Sequence, residues 1–141
     1  MVEYRVAVEG DDNGRRVLLV CTKRALREEL AQALAAAGYR VEAVSSGVGG
    51  LLILREAQPP FDWLVSELGM PGLIDGRCIA YEYRFQWPLR PALFFGSSPD
   101  EMPPPEDEIV RGEADPARIV AAVERLRGER IRLLRRIDEA P

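Results

Sequence analysis

The chain has 141 residues, 47% hydrophobic and 30% charged, with a net charge of -4 and a pI near 5.0. That length holds one domain with a sizeable core, and the acidic balance excludes a general nucleic-acid binder. Histidine is absent, which removes Ser-His-Asp and Cys-His catalysis and most zinc sites in one step. No apolar run is long enough to span a membrane. The first residues lack a basic segment followed by an apolar core, so no secretory signal is expected. Two cysteines, Cys21 and Cys78, do not make a disulfide framework, and the expected compartment is the reducing cytoplasm.

Residues Val2 to Arg16 precede the regular part of the chain. Tyr4, Val6 and Val8 alternate with polar or small residues, a period of two that reads either as an added edge strand or as a disordered start. Gly10 to Gly14 is a turn or loop. Val17-Leu18-Leu19-Val20 is a continuous apolar run, as expected of a parallel strand covered on both faces. Leu26, Leu30, Ala33, Leu34 and Ala37 recur at helical spacing, and Gly38 suits the left-handed residue that ends a helix. Tyr39 to Val44 reads as a second strand. Ser45-Ser46-Gly47 offers a cap for a second helix, with Leu51, Leu52, Leu54 and Ala57 on its apolar side and Pro59-Pro60 as its stop. Gly47, Gly49 and Gly50 weaken its start on propensity grounds.

Phe61 to Leu68 forms a third strand that ends at one carboxylate, Glu67, and runs into a Met70-Pro71-Gly72 turn. A third helix is expected from Asp75 to about Gln86, with Ile79, Tyr83 and either Cys78 or Phe85 facing the core. Ala92 to Phe95 is a fourth strand. The stretch Gly96 to Pro105 cannot hold a regular helix, because proline in a helix interior costs roughly 3 kcal/mol. Glu108-Ile109-Val110 is a short fifth strand. A last helix starts at Asp115-Pro116, with Asp as cap and Pro in the first turn; Gly128 is a place for it to kink or divide. Strands alternating with helices define an α/β fold with a parallel sheet and right-handed crossovers.

Asp62, the turn Met70-Pro71-Gly72 and the pair Asp75-Gly76 resemble the centre of a response-regulator receiver domain, of the CheY-like superfamily. Gly38-Tyr39 and Ser46-Gly47 add to the likeness, which runs from about Val17 to Gly128. The resemblance implies a flavodoxin-like, doubly wound sheet of five parallel strands in the order 2-1-3-4-5, with the fourth helix reduced or lost to the proline-rich stretch. It divides the chain into an N-terminal extension (1–16), a receiver-like domain (17–128) and a C-terminal helical extension (129–141).

The family's chemistry is a small phosphoryl-transfer site. Two acids after the first strand and the phosphoryl-accepting Asp hold magnesium, a hard cation that takes oxygen ligands. A hydroxyl after the fourth strand and a Lys after the fifth contact the phosphoryl group. At the corresponding positions this chain carries Cys21 and Thr22, Glu67, Gly96 with Ser97 beside it, and Arg111. Each chemical position differs while the scaffold signals remain. The expectation is therefore a degenerate pseudo-receiver: not an enzyme, without a metal or other cofactor, acting by phosphorylation-independent protein–protein contact in a two-component-type system. Glu67 reads either as a solvated carboxylate at a strand end or as a fixed charge near the phosphoryl position, paired with Arg111. The partner expected is a protein rather than nucleic acid or membrane. Arg130, Leu133, Leu134 and Ile137 carry the last helix past the usual domain end, with Leu126 and Leu133 a heptad apart; it either packs on its own domain or forms a homodimer or partner-binding helix, and Arg130, Arg132, Arg135 and Arg136 offer charge for an acidic surface.

Cys21 followed by Arg27 also fits Cys-x5-Arg, which resembles the phosphate loop of low-molecular-weight tyrosine phosphatases. That resemblance implies Cys21 as nucleophile, Arg27 on the phosphate oxygens and Asp115 before Pro116 as general acid. Lys23 and Arg24 stand where that loop needs small residues, and Glu28 where it needs a hydroxyl. Cys78 is expected in the core of the third helix, where free cysteine is commonly buried.

Overall fold

The computed structural model describes residues 14–57, 60–88, 90, 92–96, 108–110 and 114–139. Strand β1 (Arg16–Val20) lies between β2 (Arg40–Val44) and β3 (Trp63–Glu67), and β3 pairs in turn with β4 (Ala92–Phe95), all parallel. A short strand β5 (Glu108–Val110) pairs in parallel with β4. The helices are α1 (Arg24–Ala36), α2 (Gly47–Glu56), α3 (Gly76–Gln86) and α4 (Pro116–Glu139).

The period of two in β1 explains its unbroken apolar run. Val17 and Leu19 point to a core built with Leu30 and Leu34 of α1 and with Ile119, Val123 and Leu126 of α4. Leu18 and Val20 point the other way, to Leu54 of α2 and to Ile79 and Tyr83 of α3. A strand buried on both faces needs no polar alternation. The boundaries follow from local chemistry. Gly38 takes φ 98 and ends α1. The Ser46 side chain accepts from the Gly49 amide and starts α2, and Asp75 accepts from the Cys78 amide and starts α3. Gly72 takes φ 97 in the turn after Pro71.

Three readings of the sequence are corrected by the packing. Gly47 and Gly50 do not merely weaken α2. A Cβ on Gly47 would fall on the Ile74 carbonyl, and one on Gly50 would come within 2.9 Å of the Val20 side chain. The glycines let α2 approach the sheet and the turn before α3. Leu52 is exposed although its neighbour Leu54 is buried, since four consecutive apolar residues cannot all face inward on a helix. In α3, Ile79, Ala80 and Tyr83 face the core, whereas Cys78 and Phe85 lie on the solvent side.

Helix α4 runs uninterrupted through Gly128. Its apolar seam, Ile119, Val123 and Leu126, is buried. Arg130 takes the next place in that seam. Its guanidinium lies 3.6 Å from the centre of the Trp63 ring and donates to the Asp62 carbonyl at 3.0 Å. Arg130 is thus a packed residue of the domain rather than a charge for an acidic surface, a cation–π contact worth about 2 kcal/mol when desolvated. Beyond it, Leu133, Leu134 and Ile137 are about half exposed. Among the described residues no helix is long and apolar enough to cross a membrane.

Tyr83 gives the fold an alkaline limit. Its hydroxyl donates to the Phe61 carbonyl at 3.3 Å, and burial pushes its pKa up to about 12. An unfolded tyrosine titrates near 10. The unfolded chain therefore releases this proton first, and the stability is whole below pH 10 and lost as pH rises towards 12. Between those limits wild type is expected to lose about 2–3 kcal/mol more than Tyr83→Phe, read by urea unfolding at the two ends of the interval.

Candidate functional site

The carboxyl ends of the parallel strands gather the residues singled out in the sequence. Cys21 and Thr22 follow β1, Glu67 ends β3 and Gly96 follows β4. In open α/β sheets this edge is where ligands bind. Ser97 and Arg111 lie outside the described residues, as do the proline-rich stretch, the first 13 residues and the reading of a reduced fourth helix.

Glu67 is the centre of the arrangement. It is only 6% exposed, so it is not a solvated strand-end carboxylate. Its Oε1 accepts two hydrogen bonds from one residue, the Thr22 amide and the Thr22 hydroxyl, each at 2.8 Å. Bonds to an ionised acceptor contribute about 1.5–3 kcal/mol each. They have a structural task. Helix α1 starts after Lys23, whose side chain makes no cap bond. The loop between β1 and α1 is instead held from the end of the adjacent strand β3, 45 positions along the chain. The other end of Glu67 is fixed as tightly. Its carbonyl lies against Gly76, where a Cβ would collide with it. The next residue, Leu68, donates to Phe95 and accepts from the Gly76 amide. Gly96 sits in the left-handed region at φ 66, and a Cβ there would meet the Glu67 Cγ at 3.6 Å.

The sequence named Thr22 and Glu67 separately but not their contact. The available signal was position: both stand where the receiver resemblance puts acidic ligands of one ion, so they face one another. With Thr in place of an acid, the pair becomes donor and acceptor.

These residues do not fit magnesium. Among the described residues no group of three or more His, Cys, Asp or Glu side chains is placed to hold a metal ion. Among the described residues the site has one carboxylate, Glu67, with one oxygen already accepting two bonds, and a thiol, which is a soft ligand suited to other metals.

The phosphatase reading fails on geometry. The Cys21 side chain is fully buried. Burial is the largest cause that pushes its thiol above the ordinary value, and the Glu67 charge adds to it. A phosphatase nucleophile needs the opposite shift. The thiol donates to the Lys23 carbonyl at 3.6 Å. Arg27 donates to the Cys21 carbonyl at 3.0 Å, so it braces the β1–α1 loop instead of facing a phosphate pocket.

Strand order and helix placement define the fold class: a doubly wound α/β domain of flavodoxin-like order. Comparison with solved structures agrees. A response regulator receiver protein from Sinorhizobium medicae is 23% identical, with a TM-score of 0.67 over 79% of this chain and 93% of its own. A response regulator receiver domain protein from Clostridium thermocellum is 19% identical, with a TM-score of 0.71 over 84% and 98%. The receiver domain of the hybrid histidine kinase CckA is 26% identical, with a TM-score of 0.64 over 78% and 96%. No family model matches the sequence, and no curated protein matches it. The chain has the fold of the receiver domains of two-component response regulators.

Proposed function

We propose that the chain is a pseudo-receiver, a cytoplasmic signalling module that acts by protein–protein contact and is not switched by phosphorylation. The observation that carries this reading is the Thr22–Glu67 contact. Both 2.8 Å bonds converge on a carboxylate oxygen at the position of the phosphoryl-accepting Asp. In a receiver that can be phosphorylated, a metal ion and the incoming phosphoryl group would occupy this space, and charge neutralisation at the moving oxygens is what transfer requires. Here an internal hydrogen-bonded pair stands in it. The β1–α1 loop and the end of β3 are tied together by these two bonds, which supports a single resting state.

The test is incubation with magnesium and a small-molecule phosphodonor, followed by intact-mass measurement. The expected result is no mass gain, with a true receiver phosphorylated in parallel. A gain of one phosphoryl group on Glu67 would overturn the proposal.

A further inference from the structure

Helix α4 carries one seam along most of its length. Ile119, Val123, Leu126, Arg130, Leu133 and Ile137 follow one another at spacings of three and four, so they lie on one face. As far as Arg130 that face is packed on the domain. Beyond it the seam continues into exposed helix. Residues 132–139 are exposed throughout, and Leu133, Leu134 and Ile137 are 50%, 52% and 57% exposed.

The start of the chain is anchored at the same place. Trp63 opens β3 at the amino edge of the sheet. Its ring nitrogen donates to the Gly14 carbonyl at 3.0 Å, and its ring is covered by the Arg130 guanidinium. One side chain thus touches both the last packed member of the α4 seam and the residue that follows positions 1–13. Strand β1 is already paired with β2 and β3, so those positions cannot fold back on it as a hairpin. Ten positions separate Tyr4 from Gly14, a reach of up to about 33 Å. The seam runs only about 10 Å from Arg130 to Ile137.

Pattern and charge name the occupant. Within positions 1–13, Tyr4, Val6 and Val8 alternate, so an extended chain presents them on one side, and Glu3, Glu9, Asp11 and Asp12 outnumber Arg5. On α4 the charges over 131–137 are all positive: Arg132 and Arg136, a turn apart beside the seam, and Arg135 behind it. Glu129 is already met by Arg125 at 3.6 Å, and Asp138 and Glu139 stand at the helix end. Size argues against a second copy. A stable interface takes ~800 Å² and about 20–30 residues from each partner, far more than three half-exposed aliphatic side chains. A tethered segment needs less, because its effective concentration is on the order of millimolar.

We propose that residues 1–13 fold back over the end of α4, placing Tyr4, Val6 and Val8 on Leu133, Leu134 and Ile137 and their acids beside Arg132 and Arg136. The start of the chain then covers its own last helix. This contact is independent of the pocket's chemistry, so it stands or falls separately from the pseudo-receiver reading.

Photocrosslinking in the full chain tests it. Tyr4 is replaced by p-benzoylphenylalanine, and equal parts of ordinary and isotopically heavy protein are mixed, irradiated, digested and mapped by mass. The expected crosslink joins position 4 to 131–137 of its own chain. Each linked pair of peptides then carries a single label, and the yield does not depend on protein concentration. The yield should fall severalfold in Leu133→Glu with Ile137→Glu, and severalfold at low salt in Arg132→Glu with Arg136→Glu. All four side chains are exposed, so these variants should keep the wild-type circular dichroism spectrum. Linked peptides of mixed label would assign the seam to a second copy and overturn the proposal. Crosslinks to β2 at the edge of the sheet in place of α4 would make the segment an added strand and overturn it too. So would the absence of any crosslink to α4, or a yield that either pair of substitutions leaves unchanged.

Discussion

Gly47→Ala is expected to destabilise the protein by about 3 kcal/mol, against a propensity scale that predicts a gain of up to about 1 kcal/mol for the same change in a helix. The two effects have opposite signs, so the experiment decides between them. Gly47 is the first residue of α2. Its added Cβ would fall on the Ile74 carbonyl oxygen and within 2.8 Å of the carbonyl carbon. These are backbone atoms, and no side-chain rotation relieves the clash. Either α2 moves away from the sheet or the turn before α3 moves. That turn leads into the Asp75 cap and to Gly76, which itself lies against the Glu67 carbonyl. The strain would therefore reach the site through three short links. Gly128→Ala is the control. In mid-α4 its Cβ would find Arg132 at 3.5 Å, ordinary contact, and there the propensity gain of about 0.5–1 kcal/mol should appear in full. Urea midpoints at unchanged slope give both values.

The same glycine shows where sequence reasoning reaches its limit. Strand positions, the Asp75 and Ser46 caps, the Gly38 helix end and the turn at Pro71-Gly72 were legible because each rests on a local rule. The parallel fold was legible because Val17 to Val20 and Trp63 to Val65 are apolar without alternation. What was not legible depends on contacts distant in the chain. Gly47 meets Ile74, and Thr22 meets Glu67; no local spacing announces either. Helix α3 illustrates a different limit. Ile79, Ala80, Tyr81, Tyr83 and Phe85 place apolar side chains around most of the helix, so periodicity alone did not choose the buried face. The structure chose Ile79, Ala80 and Tyr83 and left Tyr81 and Phe85 outside, which is why the exposed aromatic face on α3 emerged only from the packing. At the site, the resemblance brought Cys21, Thr22, Glu67 and Gly96 to one edge. It could not say that the charge of Glu67 would be used to hold the β1–α1 loop.

Glu67→Ala is expected to cost about 3 kcal/mol, and Glu67→Gln only about 1 kcal/mol. Alanine removes the acceptor of both Thr22 bonds from a nearly buried site and leaves space beside Gly96. Glutamine keeps an oxygen of the same reach, so it can accept both bonds and loses only the contribution of the charge. The gap between the two variants measures the hydrogen bonds themselves. Thr22→Val, which removes one of the two donors at nearly constant volume, should cost about 1–2 kcal/mol. In Glu67→Ala that hydroxyl has already lost its partner, so adding Thr22→Val should cost little more, with a coupling of about 1 kcal/mol or above. A second cycle of Glu67→Gln with Arg111→Ala asks whether the charge is also used by Arg111. Coupling there would mean that the carboxylate is held from both the β1 and β5 sides; its absence would assign the site to Thr22 alone. If Glu67→Ala and Thr22→Val are additive, the two residues do not act together, and Glu67 does not hold the β1–α1 loop through Thr22. Thermal or urea unfolding of the four proteins in each cycle gives the values, and a Glu67→Ala protein that unfolds like wild type would remove Glu67 from any structural role.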